Sequence, residues 1–220
     1  MKDIYQRIIR LMWGLFLYSF GILLTVNAHI GYAPWDVLHV GIADTVGLTI
    51  GSISILLGIF IVIITVLLGE KVGLGTICNM IFIGLFFDSI YALKIIPVPE
   101  NTFLAIVMLI TGLFIIAFAT YFYISTGFGA GPRDGLMVAL ARITKLPIGI
   151  CRGVIEFMAV VSGWLLGGMV GIGTVLAAFG IGFCVQITFY FLKFDATKVE
   201  HETIAYTYRK YFKKEIFQSK

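Results

Sequence analysis

The chain has 220 residues, of which 60% are hydrophobic and 13% are charged, and its mean hydropathy is +1.02. A water-soluble domain carries roughly 45–50% apolar and about 25% charged residues, so the composition excludes that class and predicts an integral membrane protein. The net charge is +4, but the basic residues lie at the ends of apolar segments rather than along one face, so a nucleic-acid partner is not expected.

Six apolar segments are long enough to cross a bilayer, for which a helix needs about 20 residues. In chain order they cover residues 11–26, 52–68, 74–93, 102–124, 148–166 and 172–192. Two further stretches, 34–46 and 132–144, have thirteen residues each and would extend only about 20 Å as helices. We therefore predict an all-α integral membrane protein with six transmembrane helices and two short re-entrant half-helices.

The chain contains an internal repeat, because a shift of 98 residues aligns residues 14–90 with residues 112–188 without a gap. The shift superimposes a G-x-x-P-x-D motif on itself, placing Gly31, Pro34 and Asp36 over Gly129, Pro132 and Asp134. Because the first apolar segment has a counterpart inside the chain, we interpret it as a retained span rather than as a cleaved signal peptide.

Each repeat holds three predicted crossings, so the second copy would run upside down relative to the first and form an inverted 3+3 repeat. The predicted organisation is a cytoplasmic N-terminal tail (1–10), two membrane repeats (11–100 and 101–192) and a basic cytoplasmic tail (193–220). With six crossings, 15 Lys and Arg residues lie inside and only Lys94 lies outside, as the positive-inside rule requires. Eight crossings would give 14 against two, so only the length of the short helices favours six.

The duplicated motif is the candidate binding site. A proline at the first helical position starts each half-helix without wasting a hydrogen bond, and the free amides of such a start can hold an anionic or polar solute near the membrane centre. The predicted substrate-binding residues are Gly31, Pro34, Asp36, Gly129, Gly131, Pro132, Arg133 and Asp134. The alternative is that both aspartates only cap their helices.

Four carboxylates are candidates for proton coupling, since ionisable groups inside membranes are functional candidates by default. They are Asp36, Asp134, Glu156 and Asp88. Glu156 is four residues from Arg152 on one helix face, so an internal salt bridge that fixes packing is the alternative. Asp88 is close to the end of its span, where the alternative is contact with water.

The sequence predicts no metal, no cofactor and no catalytic site. Cys78, Cys151 and Cys184 form no C-x-x-C pair, and His39 aligns with Met137, which argues against a symmetric metal site. The chain has no H-E-x-x-H or G-x-S-x-G motif, so we do not expect an enzyme.

The repeated G-x-x-P-x-D motif, the stretch from Gly41 to Gly51 and the segment Gly131 to Gly135 resemble the YczE/YyaS/YitT-type family of bacterial multi-pass membrane proteins. The likeness covers residues 11 to about 192. It implies a location in the bacterial plasma membrane and no particular mechanism.

These features favour a secondary transporter that moves a small polar or anionic solute by alternating access, with possible proton coupling. The alternative is a non-transporting scaffold or regulatory partner of an export or biosynthesis complex, which predicts no substrate-sized cavity. Small residues four apart, such as Gly163 and Gly167, let helix backbones approach closely, which favours an interface within the bundle over a substrate path. The sequence also leaves a homodimer open.

Overall fold

The computed structural model describes residues 2–211. Within that range the chain forms nine α-helices, one short 3₁₀ helix at Ala196–Lys198 and no β-strand. The helices are α1 (Lys2–Asn27), α2 (Pro34–Val46), α3 (Ile50–Leu67), α4 (Leu74–Ala92), α5 (Thr102–Ile124), α6 (Pro132–Thr144), α7 (Ile148–Leu165), α8 (Ile172–Phe191) and α9 (Ile204–Tyr211).

Six of these helices, α1, α3, α4, α5, α7 and α8, are long and apolar enough to cross a membrane. The predicted all-helical membrane protein with six candidate spans is therefore confirmed. The first boundary differs from the prediction, because α1 begins at Lys2 and not near residue 11. No proline or glycine interrupts residues 2–10, so the predicted tail continues the helix instead.

Helices α1 and α5 form the central pair of the bundle and pack with their backbones in close contact. A Cβ atom at Gly21 would lie 2.9 Å from the carbonyl oxygen of Gly112, and one at Gly14 would lie 3.0 Å from the Cβ of Phe122. Residue numbers rise along α1 as they fall along α5, so the two helices are antiparallel. Helix α4 packs on α1, and α8 packs on α5.

The two short helices pack on spanning helices, but only α2 is largely buried, since three of the thirteen residues of α6 are buried. Helix α2 packs on α7, and eight of its thirteen residues are buried. Its first turn is beside the middle of α7, where Trp35 clusters with Ala159, and its last turn reaches the end of α7, where the Thr45 hydroxyl is 3.4 Å from the Leu166 oxygen. Helix α6 packs on α3 in the corresponding way.

The loop before each short helix is fixed by a hydrogen bond that recurs in both halves. The Gly173 amide donates to the Ile30 oxygen at 2.7 Å, and the Gly75 amide donates to the Phe128 oxygen at 2.7 Å. The next residue in each loop is a glycine with a positive φ, +109° at Gly31 and +118° at position 129. A side chain there would be strained, so these glycines shape the loops.

One helix contact is present in the first half and nearly absent in the second. Helix α3 packs along α4, and a Cβ added at Gly51 would clash with the Gly84 oxygen. The residues that align with these two are Gly149 on α7 and Gly182 on α8. Neither would have an added Cβ within 4 Å of another atom, and within the described residues α7 and α8 scarcely touch. A gap therefore separates α7 from α8.

Both ends of the described chain meet at one end of the bundle, which we call the tail end. Arg7 donates to the Thr126 oxygen at 2.6 and 2.9 Å and to Glu202 at 3.0 Å, while the Glu202 amide donates to the Gly127 oxygen at 2.7 Å. Burial raises the pKa of Glu202, but hydrogen bonds from Lys210 and Arg7 outweigh burial and hold that pKa below its usual value.

Candidate functional site

A cavity of about 460 Å³ lies in the middle of the bundle, where all six spanning helices and the first turn of α6 contribute to its lining. A smaller cavity of about 120 Å³ lies next to it and is lined by the first turn of α2. Arg133, Asp134 and Arg152 line both cavities. The larger volume is within the range of small-molecule sites, roughly 300–1,000 Å³.

The first turns of the two short helices contact each other through Arg133. Its guanidinium lies over the indole ring of Trp35, 4.6 Å from the ring centroid, and one of its nitrogens is 3.4 Å from Nε2 of His39. Trp35 and Arg133 occupy equivalent positions of the two repeats, 98 residues apart. The pair therefore joins the repeats at the point where their half-helices meet.

The two aspartates of the duplicated motif have different surroundings. Asp36 is 5% exposed, and its carboxylate is 3.5 Å from Nδ1 of His39, one turn further along α2. Asp134 is exposed and lines both cavities, beside Arg133 and Arg152. Asp36 therefore pairs with a histidine, whereas Asp134 forms no ion pair within 4.0 Å in residues 2–211.

Arg152 and Glu156 form the predicted pair on α7, with Nε and Oε1 2.8 Å apart. The Glu156 side chain is 17% exposed and that of Arg152 is 46% exposed. Both side chains contribute to the cavity lining at the edge of the gap between α7 and α8. Across the gap, α8 contributes Gly182 and Gln186 to the larger cavity.

Comparison with known proteins places the chain in a family. A family model described as a family of unknown function, DUF6198, matches residues 5–189. This chain belongs to the DUF6198 family. The predicted resemblance is confirmed for YczE and YyaS, both of which are relatives in Bacillus subtilis.

Three relatives of this DUF6198 protein are similar over most of their length. An uncharacterized protein of Haemophilus influenzae is 37% identical over 182 residues, which are 83% of each chain. The uncharacterized membrane protein YczE is 32% identical over 177 residues, 80% of this chain and 81% of YczE. The uncharacterized protein YyaS is 29% identical over 166 residues, 74% of this chain and 82% of YyaS. No solved structure matches the chain.

Most of the predicted site residues of the DUF6198 chain lie at the cavities. Those that line one or both are Pro34, Asp36, Gly131, Pro132, Arg133, Asp134 and Glu156. Gly31 and Gly129 instead hold the loops against the start of α8 and α4.

Asp88, the fourth candidate for proton coupling, lies away from the cavities. Its Oδ1 accepts the Gly51 amide at 2.9 Å and its Oδ2 accepts the Thr49 hydroxyl at 2.6 Å. The carboxylate thereby joins α4 to the first turn of α3.

Several polar residues that line the larger cavity were not predicted as site residues, and Tyr18, Asn79 and Gln186 are among them. Tyr18 is on α1, Asn79 on α4 and Gln186 on α8. Asn79 and Gln186 are polar groups within apolar spans, and this is the signal that would have selected them. Tyr18 carries no such signal, because an aromatic residue in a span is ordinary.

Proposed function

We propose that the protein is a secondary transporter that moves a small polar or anionic solute across the bacterial plasma membrane by alternating access. The observation that carries the proposal is the cavity of about 460 Å³ at the meeting point of the first turns of α2 and α6, lined by Arg133, Arg152 and Asp134. The scaffold alternative predicted no cavity of substrate size, so the cavity favours transport.

The proposed architecture is an inverted repeat in which α2 and α6 are re-entrant and both tails are cytoplasmic. The antiparallel packing of α1 and α5, which are counterparts in the two repeats, supports inversion. Six crossings are supported by Arg7, because its bond to Thr126 puts the loop after α5 at the same end of the bundle as the N-terminus. Eight crossings would put that loop on the other side.

Alternating access is supported by the unequal contacts in the two halves. In the proposed mechanism, α3 and α4 separate during the cycle while α7 and α8 close on each other. The first turns of α2 and α6 stay at the binding site. Asp134, Asp36 and Glu156 remain the candidates for proton coupling, since each lines a cavity. We propose that Asp88 does not carry protons and instead holds α3 against α4 through its hydrogen bonds.

The test is uptake into proteoliposomes that contain the purified full chain. A panel of radiolabelled phosphate, sulfate, acetate, succinate and amino acids is offered with and without a proton gradient. We expect saturable uptake of at least one solute and its loss in Arg133→Gln. The matched control is Arg142→Gln, since Arg142 pairs with Glu70 at 2.9 Å and lines neither cavity. Correctly folded protein that transports no member of the panel would overturn the proposal.

A further inference from the structure

The charged side chains at the two cavities fall into paired and unpaired groups. Glu156 pairs with Arg152 at 2.8 Å, and Asp36 lies against His39 at 3.5 Å. Arg133 and Asp134 are different, because neither forms an ion pair within 4.0 Å in residues 2–211. The cavity thus contains one unmatched cation and one unmatched anion, on consecutive residues.

Both unmatched groups have hydrogen-bonding capacity left over. A guanidinium has five N–H donors, and the Trp35 ring face uses none of them. The contact with His39 at 3.4 Å engages one nitrogen. A carboxylate has about four acceptor positions, and no ion pair within 4.0 Å occupies those of Asp134 in residues 2–211. Each group can therefore bind a charged partner in the cavity.

A solute with a single charge would satisfy only one of these groups. Because Arg133 and Asp134 are adjacent in the first turn of α6 and both line the same cavity, any solute that fills it lies near both. A bound anion would displace water from the Asp134 carboxylate and would be repelled by that carboxylate. A bound cation would likewise displace water from the Arg133 guanidinium and be repelled by it. Burying a charge without a partner is costly, and a like charge nearby adds to the cost.

From this arrangement we infer that the transported solute is dipolar and carries an anionic group, which binds Arg133, together with a cationic group, which binds Asp134. This inference rests on the proposed function and narrows it to a class of substrate. The cavity volume of about 460 Å³ is near the lower end of the range for small-molecule sites, so the solute is a small zwitterion rather than a peptide.

The test uses three probes with the same four-carbon chain and different charges. 4-Aminobutanoate is dipolar, butanoate is an anion and butylammonium is a cation. Binding to the purified full chain in lipid nanodiscs is measured by calorimetry. We expect 4-aminobutanoate to bind at least about tenfold more tightly than either singly charged probe, the factor that one lost charge-assisted hydrogen bond produces. Glycine and 6-aminohexanoate are also tested, because their two charges are closer together and further apart than those of 4-aminobutanoate. They would bind if the site requires a different distance between the charges.

Two variants assign each end of the probe to a residue. In Arg133→Gln the dipolar probe should bind no better than butylammonium, and in Asp134→Asn no better than butanoate. Arg142→Gln, on the same helix but paired with Glu70, should leave all three affinities within twofold. The comparison of the three probes on the unaltered protein tests the inference even if a variant fails to fold.

The outcomes separate this inference from the proposed function. Butanoate binding as tightly as every dipolar probe would overturn the dipolar substrate and leave an anion transporter in place. Tightest binding of butylammonium would overturn the dipolar substrate and also exclude an anion as the preferred solute. Binding of a dipolar probe without uptake into proteoliposomes would overturn transport and keep the assignment of the site. No binding of any probe, together with saturable uptake of a singly charged solute from the panel, would overturn the dipolar substrate alone.

Discussion

The bond between α3 and α4 gives a quantitative prediction. Asp88 accepts two hydrogen bonds, from the Gly51 amide at 2.9 Å and the Thr49 hydroxyl at 2.6 Å. A hydrogen bond to a charged group contributes about 1.5–3 kcal/mol. Asp88 is half-buried, so the lower end of that range applies to each. Asp88→Ala should therefore weaken the contact by about 3 kcal/mol, which is roughly a hundredfold change in an equilibrium constant.

The assay measures how often α3 separates from α4. Ser54 is on α3 and lines the larger cavity, so it is replaced by cysteine in a chain whose three native cysteines are replaced by alanine. A thiol reagent that cannot cross the membrane is added on the side opposite the tail end. Asp88→Ala should accelerate modification of the introduced cysteine by up to about a hundredfold and lower the melting temperature.

The control for Asp88 is Asp44→Ala. Asp44 is exposed on α2, and its carboxylate forms no hydrogen bond with any residue in the range 2–211 that the structure describes. This variant should change neither the labelling rate nor the melting temperature. The reasoning is refuted if Asp88→Ala also leaves both quantities unchanged, because Asp88 would then contribute nothing to the contact.

Three further predictions concern packing, the tail end and the cavity. Gly84→Ala should destabilise the protein by about 1–3 kcal/mol, since its Cβ would lie 2.5 Å from a backbone oxygen of α3, whereas Gly182→Ala meets open space and should be neutral or stabilising in thermal unfolding. The pKa of Glu202 is lowered in the folded state, so the ionised carboxylate stabilises the fold at pH values above the unfolded pKa of about 4.3. This stabilisation is lost as the pH falls through the folded pKa. In melting curves from pH 3 to 7, the fall of melting temperature with pH should be smaller in Glu202→Gln and unchanged in the exposed-site variant Glu100→Gln. Trp35→Leu should lower the melting temperature by removing the cation–π contact between the indole and Arg133, which contributes about 0.5–2 kcal/mol, while Trp35→Phe, which keeps a ring, should lower it less.

The short helices could be predicted from sequence because their signals are local. Proline fixes its own backbone angle, so Pro34 and Pro132 mark the first residues of α2 and α6, as expected from the motif. The Arg152–Glu156 pair could be predicted for the same reason, since four residues on a helix make one turn. The short length of each stretch also predicted that neither helix would span the bilayer, but not that α2 would be more buried than α6.

The gap between α7 and α8 could not be predicted, because a gapless repeat implies equal contacts in both halves. The substitutions that accompany the difference are visible only once the contact is known. Asp88 aligns with Gln186, and Thr49 aligns with Pro147, so the second half lacks both the carboxylate and the hydroxyl that join α3 to α4. The cavity was likewise a property of long-range packing, to which Tyr18 contributes without any sequence signal.

The contact between Trp35 and Arg133 has a consequence for the origin of the chain. Two identical subunits related by a twofold axis place the same residue on both sides of that axis. An ancestor built from two copies of one repeat would have set two indoles or two guanidiniums against each other here, and the latter repel. The present contact has unlike residues at two equivalent positions of the sequence repeat, so it exists only in a chain whose two copies differ there.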